Sequence, residues 1–246
     1  MGYFNTTIKI PIAASSQATA FADGDLLADW QAIQIPRGSA SLKSLTALVR
    51  PKGDAGPTSN SFALDILFSK TNTVSLGTVN AKIAHRPNND IIGLIEIDAS
   101  NYGTGHLQST AVAMIGSDTT AAAPPMVITG DVTTGDNVGY DTIYVGLIAR
   151  AAFDFVSINT VNEASFSAGT QTLITMDDGS GGTTMDCREH FAAGDILHAA
   201  DDAVLGTVES TAAHSITLTA ANTGDIAEND VIYNLHPIRL VLGFQK

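Results

Sequence analysis

Positive charge is scarce in this sequence. Twelve Lys and Arg stand against 25 Asp and Glu, a formal net charge of −13 over 246 residues. A phosphate-binding face needs clustered Lys and Arg that release counterions, so nucleic acid is excluded as an expected partner, and an anionic membrane surface with it. There is one cysteine, Cys187, so no intrachain disulfide can form and oxidising secretion is not implied. No apolar run approaches the roughly 20 residues of a membrane span. The start lacks the basic flank and continuous apolar stretch of a signal peptide, and a soluble protein made in a cytoplasm is expected. Met1–Thr6 formally fits a myristoylation pattern, but Ile8, Ile10 and Ile12 follow at strand spacing. Aromatics are few, at 6%, with Trp30 the single tryptophan, which gives little support to a sugar-stacking platform. Charged residues of both signs reach only 15%, against about 25% in typical soluble domains. Ala, Gly, Ser and Thr fill the difference, a surface suited to burial in protein–protein contacts.

What the chain does have is a period of two. Phe62, Leu64, Ile66 and Phe68 alternate with Ala63, Asp65, Leu67 and Ser69. Ile143, Val145 and Leu147 repeat the pattern, as do Phe153 with Phe155, and Ile238, Leu240, Leu242 and Phe244. Such alternation marks strands with one face buried. Further strands are predicted at 6–12, 30–35, 41–50, 91–98 and 107–115, joined by turn formers such as Pro51–Pro57 and Asn88–Asp90. Asp25–Asp29 is the one segment read as a helical turn, before Trp30. About ten strands with no long helix predict an all-β fold, a sandwich or jelly-roll-like main domain.

Charge divides the chain unevenly. Residues 1–160 carry a net −4, residues 161–235 a net −11 with Arg188 as their only Arg or Lys, and residues 236–246 a net +2. The acidic block has its own strand rhythm at Thr172–Met176, Asp195–His198, Val204–Glu209, Ser215–Thr219 and Val231–Asn234. It reads as a small β-barrel-like module of marginal core size. The last strand is as apolar as those of the first part. The expected organisation is therefore a main β-sandwich of 1–160 plus 236–246, with 161–235 inserted.

Chemistry-bearing motifs are weak. No nucleophile elbow, dinucleotide fingerprint or phosphate loop is present, and Gly179–Gly182 reads as a flexible connection. Cys187 and His190, three apart, could share a helical face and ligate zinc with His198 and Asp201–Asp202, but no second cysteine pair completes a set. The plainer expectation is a buried Cys187 in a turn with His190 at its surface. Asp177–Asp178, and Asp131 with Asp136, lack the alternating spacing and closing Glu of a calcium loop. Asp65 with Glu96, or Glu96 with Asp98, could pose as glycosidase carboxylates, yet a solvated sheet face explains them equally. No catalytic, cofactor-binding or metal-binding residue is assigned, no cofactor is implied, and no enzyme is expected.

Segments of the chain are similar to known proteins in style. LTALVRPKGDAGP at Leu45–Pro57, FALDILFSKTN at 62–72 and the ending HPIRLVLGFQK resemble small virion structural proteins of marine, cyanophage-like tailed phages. AGDILHAADDAVLGTVES and SITLTAANTGDIAENDVIY, within 161–235, are similar to short β modules that recur in phage structural proteins. The resemblance implies a bacteriophage virion component, a capsid decoration or cement protein on the outer shell. It implies a homo-oligomer, a trimer, bound to the major capsid protein, and brings no catalytic residues. A tailed-phage major capsid protein itself would need a long spine helix, which this chain lacks. Net negative charge suits a place outside the shell, away from packaged DNA. An expectation from a different class is a tail-associated adhesin or carbohydrate-binding β-sandwich module.

Overall fold

The computed structural model describes residues 2–36, 39–50, 61–83, 89–103, 111–115, 126–129, 140–155, 165–177 and 186–246. The chain runs β1 (Tyr3–Ile10), α1 (Ala14–Gln17), β2 (Leu26–Pro36), β3 (Ser39–Val49), β4 (Leu64–Ser69), β5 (Ile91–Ile97), β6 (Tyr102–Gly103), β7 (Ala111–Ile115), β8 (Met126–Thr129) and β9 (Tyr140–Ala149). It continues through β10 (Leu173–Thr175), α2 (Cys187–His190), β11 (Ile196–His198), β12 (Val204–Ala212), β13 (Ser215–Leu218) and β14 (Tyr233–Asn234) to β15 (Ile238–Gln245). All the strand pairings are antiparallel. The fold is all-β, as the alternation predicts.

Two sheets form the main body, one in the order β1-β15-β3-β7-β6 and one in the order β2-β9-β4-β5. Taking its eight principal strands in chain order, the first pairs with the eighth, the second with the seventh, the third with the sixth and the fourth with the fifth. This nesting is the double Greek key of a jelly roll. β7 and β8 lie end to end along β3, which pairs with β7 through Leu45–Val49 and with β8 through Ser39–Leu42.

The inward residues follow the two-residue period. Leu64, Ile66, Phe68, Ile143, Val145, Leu147, Ile238, Leu240, Leu242 and Phe244 are all buried in one core. Phe62 and Phe153 stack at 3.6 Å, with Phe155 edge-on to both. That core leaves the sequence at Phe155 and resumes at Ile238.

A second, separate core is drawn from Phe166–Ile232 and belongs to the sheet β10-β13-β12-β11-β14. Among the described residues this sheet is open rather than a closed barrel, because β10 pairs only with β13 and β14 only with β11. Its core is capped by α2, which contributes Cys187, and by the following Phe191. The bridge between Phe166 and Ile226 closes the other side.

The helical turn expected at Asp25–Asp29 is instead the start of β2. Leu26, Leu27 and Ala28 are all buried, a run that breaks strict alternation and imitates a helix. Two register shifts against β9 produce it, since a bulge turns successive side chains inward. Asp29 accepts from the Leu76 N–H and the Ser75 hydroxyl. It thereby holds buried Leu76 against β9, where a Cβ on Gly146 would collide with Leu76 and press on the Trp30 ring.

Candidate functional site

The residues that sequence reading weighed for chemistry fall into three places. The first is α2. Asp186 caps it by accepting the Arg188 N–H at 2.9 Å, and the Arg188 side chain holds the same carboxylate, pulling its pKa down to about 2. Cys187 is fully buried, and that burial pushes its thiol up to about 12, the opposite of an activated nucleophile. His190 is only 2% exposed, so its expected place at the surface is incorrect. Residues three apart share one side of a helical turn, and α2 lays both Cys187 and His190 on the module. No group of three His, Cys, Asp or Glu poised to hold a metal occurs among the described residues.

The second place is the outer face of β4 and β5. Asp65 and Glu96 are register partners, and Arg150 reaches Asp65 at 3.3 Å, Glu96 at 3.4 Å and Asp98 at 3.0 Å. The three carboxylates surround an arginine rather than a cleft. Burial raises the Asp65 pKa, assisted by Glu96, Asp23 and Asp98 and opposed by Arg150. Asp98 also caps a short 3-10 turn reciprocally with Asn101. Trp30 donates its indole N–H to the Val74 carbonyl at 2.9 Å, a packing role. Asp131, Asp136, Asp178 and Gly179–Gly182 lie outside the described residues, as do Pro51–Pro57 and the 160/161 boundary.

The third place is the seam where module meets body, which holds His198 and Asp202, weighed in the sequence as zinc ligands with Cys187 and His190. The N-cap of α1 is Ala13, whose methyl group cannot accept a hydrogen bond. Asp202, from the β11–β12 turn of the module, supplies the cap in its stead, accepting the Ser15 N–H at 3.0 Å and the Ser15 hydroxyl at 2.6 Å. Asp202 sits at φ 69°, a conformation that Asp tolerates better than most residues. Its pKa is lowered: burial works to raise it but is outweighed by the Ser15 and Ala14 hydrogen bonds and by His198. Buried Gln17 donates to the Ile12 and Asn234 carbonyls.

Beside this grip, Arg50 at the end of β3 bonds both oxygens of Asp195 at 3.1 and 2.8 Å. Asp195 is 3% exposed and also accepts the Ala192 N–H. Lys9 on β1 reaches the Gly194 carbonyl. Beside Arg50 lies a recess of about 100 Å³ lined by Leu48, Arg50, His236, Pro237 and Arg239. Burial lowers the His236 pKa, and Lys9, His198 and Arg239 lower it further against Asp195. A pairing between residues 145 apart in sequence leaves no local pattern, so Arg50 and Asp195 could not be joined by reading along the chain. No protein-family model matches the sequence, and no curated protein matches it significantly.

Proposed function

We propose that the chain is a non-enzymatic structural protein of a phage virion, a decoration or cement protein on the outer face of the capsid. In this reading it acts as a closed homo-oligomer, a trimer, against the major capsid protein. One observation carries the reading: among the described residues β5 is the edge strand of its sheet and holds Ile91 and Leu94 at 41% and 46% exposure. An edge strand with outward aliphatic side chains is a surface made to be covered by protein. The jelly roll supports it too, since capsid proteins use this architecture. Lectins use it as well, so the fold by itself does not choose between them. The segments that resemble virion proteins contribute β3, β4 and β15, strands of the body. A net charge of −13 keeps such a protein off packaged DNA, and many small neutral side chains limit the entropy lost on docking.

The test is antibody labelling of native particles, with antibody raised against the purified chain and read by electron microscopy. Label over the heads is the expected result. Label confined to the tails would transfer the assignment to an adhesin or carbohydrate-binding role, and unlabelled particles would end the virion reading. Light scattering of the purified chain gives the companion test. The wild type is expected as an oligomer and Leu94→Glu as a monomer of 25.5 kDa; a wild type that is already monomeric at micromolar concentration counts against self-assembly.

A further inference from the structure

The recess beside the seam gathers cations that are scarce in this acidic chain. Lys9 on β1 is the register partner of Arg239 on β15, and Arg239 is the register partner of Leu48 on β3. The three therefore stand side by side across the outward face of the first sheet. Like charges directly opposite on neighbouring strands are destabilising, and here the two are joined by Arg50 and His236 at the same corner. Of twelve Lys and Arg in the chain, three meet at this point. Their compensation is uneven. Asp195, the carboxylate of this corner, is bound to Arg50, and Lys9 is turned to a carbonyl. Arg239 makes no ion pair or side-chain hydrogen bond among the described residues, and His236 Nδ1 is buried with no hydrogen-bond partner there.

We propose that this recess is a binding site for a single oxyanion group, a phosphate or a carboxylate, clamped by the Arg239 guanidinium against Arg50 and His236. Guanidinium groups present paired donors that match the oxygens of either anion. Leu48 and Pro237 form apolar walls that lower the local dielectric and strengthen the attraction. At about 100 Å³ the recess takes one such group, not a nucleotide. The anion would relieve the repulsion between Lys9 and Arg239 and bridge Arg239 on β15 to Arg50 at the end of β3. It does not depend on the virion assignment.

Calorimetric titration of the full chain tests this, at constant ionic strength, with inorganic phosphate in one arm and N-acetylglutamate in the other. Saturable one-to-one binding is expected in at least one arm, and which arm responds identifies the source of the oxyanion. Arg239→Gln should weaken it about tenfold or more, the usual consequence of losing a charge-assisted hydrogen bond. Lys82→Gln, an exposed charge elsewhere on the body, should leave it unchanged. Absence of saturable binding in both arms, or equal affinity in a folded Arg239→Gln protein, overturns the site. A second measurement needs no variant. Amide shifts in the wild-type protein on adding the anion should centre on Leu48, Arg50 and His236–Arg239, and shifts centred elsewhere would overturn it equally.

Discussion

The two hydrophobic cores of this chain are closed by different means. In the body, each sheet covers the other, and the first strand is completed only by the last, with Tyr3 opposite Gln245. In the module, neighbouring strands pair only at the centre of one open sheet, β11 with β12 and β12 with β13, while β10 and β14 add to its edges from further along the chain, and its lid is a single helical turn. Where the body fills space with stacked phenylalanines, the module seats a buried amide. Asn222 is fully buried, accepts from the Thr170 and Gln171 N–H groups and donates to the Ser167 and Gly224 carbonyls. All four of its hydrogen-bonding positions are used, the condition under which a buried polar group specifies rather than weakens a core. The body thus rests on nested pairing that joins the two ends of the chain, and the module on pairings of shorter range, which cost less loop closure. The seam between them is held by charge and capping, not by either core.

The largest effect that this contrast predicts is on the C-terminal strand. β15 lies between β1 and β3 and pairs with both along its length, so removing 237–246 splits the first sheet and takes Ile238, Leu240, Leu242 and Phe244 out of the core. Burying one such side chain is worth roughly 2–5 kcal/mol, and the whole domain holds about 5–15 kcal/mol. The truncated chain should retain no cooperative melt from the body. A preserved body transition would break the nested-pairing account.

The next effect separates the two cores. Phe191→Ala should cost about 3–5 kcal/mol, confined to the module, because Phe191 belongs to the second core alone. The body transition in a calorimetric melt should stay in place. Deleting 161–235 and joining Thr160 to His236 by a short linker should likewise leave a β-rich body that melts cooperatively. Loss of body structure in either protein would show that the cores are not separable.

How legible these features were in the sequence follows the same contrast. The body strands declare themselves because one face of each is dry, so Phe62–Phe68 and Ile238–Phe244 show their period directly. β2 misleads at Leu26–Ala28 because a bulge depends on the partner strand, which lies more than a hundred residues away at Leu147–Ile148. Asn222 sits in a run of small polar residues and looks like loop, since only the fold reveals that it is buried. His190 was misplaced because a four-residue helix is too short to display a face. The seam was illegible for a different reason: Asp202 caps a helix 187 residues earlier in the chain, and capping patterns are recognised only when cap and helix are adjacent.

A smaller effect tests the seam directly. Arg50→Gln leaves the buried Asp195 carboxylate without its paired guanidinium, which should cost about 1–3 kcal/mol. Because Arg50 is itself 24% exposed, water will compensate part of the loss. The variant should melt with body and module transitions further apart than in the wild type, and with faster amide exchange at Asp195 and Gly194. Unchanged exchange at those two positions would mean that the pair does not fasten the seam.

The smallest effect is a dependence on pH, and its sign can be worked out. Burial lowers the pKa of His198, with Asp202 pulling it back up. Burial lowers His236 as well, reinforced by Lys9, His198 and Arg239 and opposed by Asp195. In the unfolded chain both rings take up a proton near the ordinary imidazole value of about 6.5, while in the folded protein they stay neutral to lower pH. The unfolded state therefore binds more protons below about 6.5, and stability, fully present above that value, falls as the pH drops toward the folded values. One proton corresponds to a slope of at most about 1.4 kcal/mol per pH unit. Asp202, whose pKa is lowered, contributes in a separate window beneath the usual carboxylate value of about 3.9. Thermal melts between pH 7.5 and about pH 5, the range of imidazole titration, should show the seam weakening below 6.5 in the wild type. The His198→Gln, His236→Gln double variant should be flatter across the same range, and an equally steep fall in that variant would place the titrating groups elsewhere in the molecule.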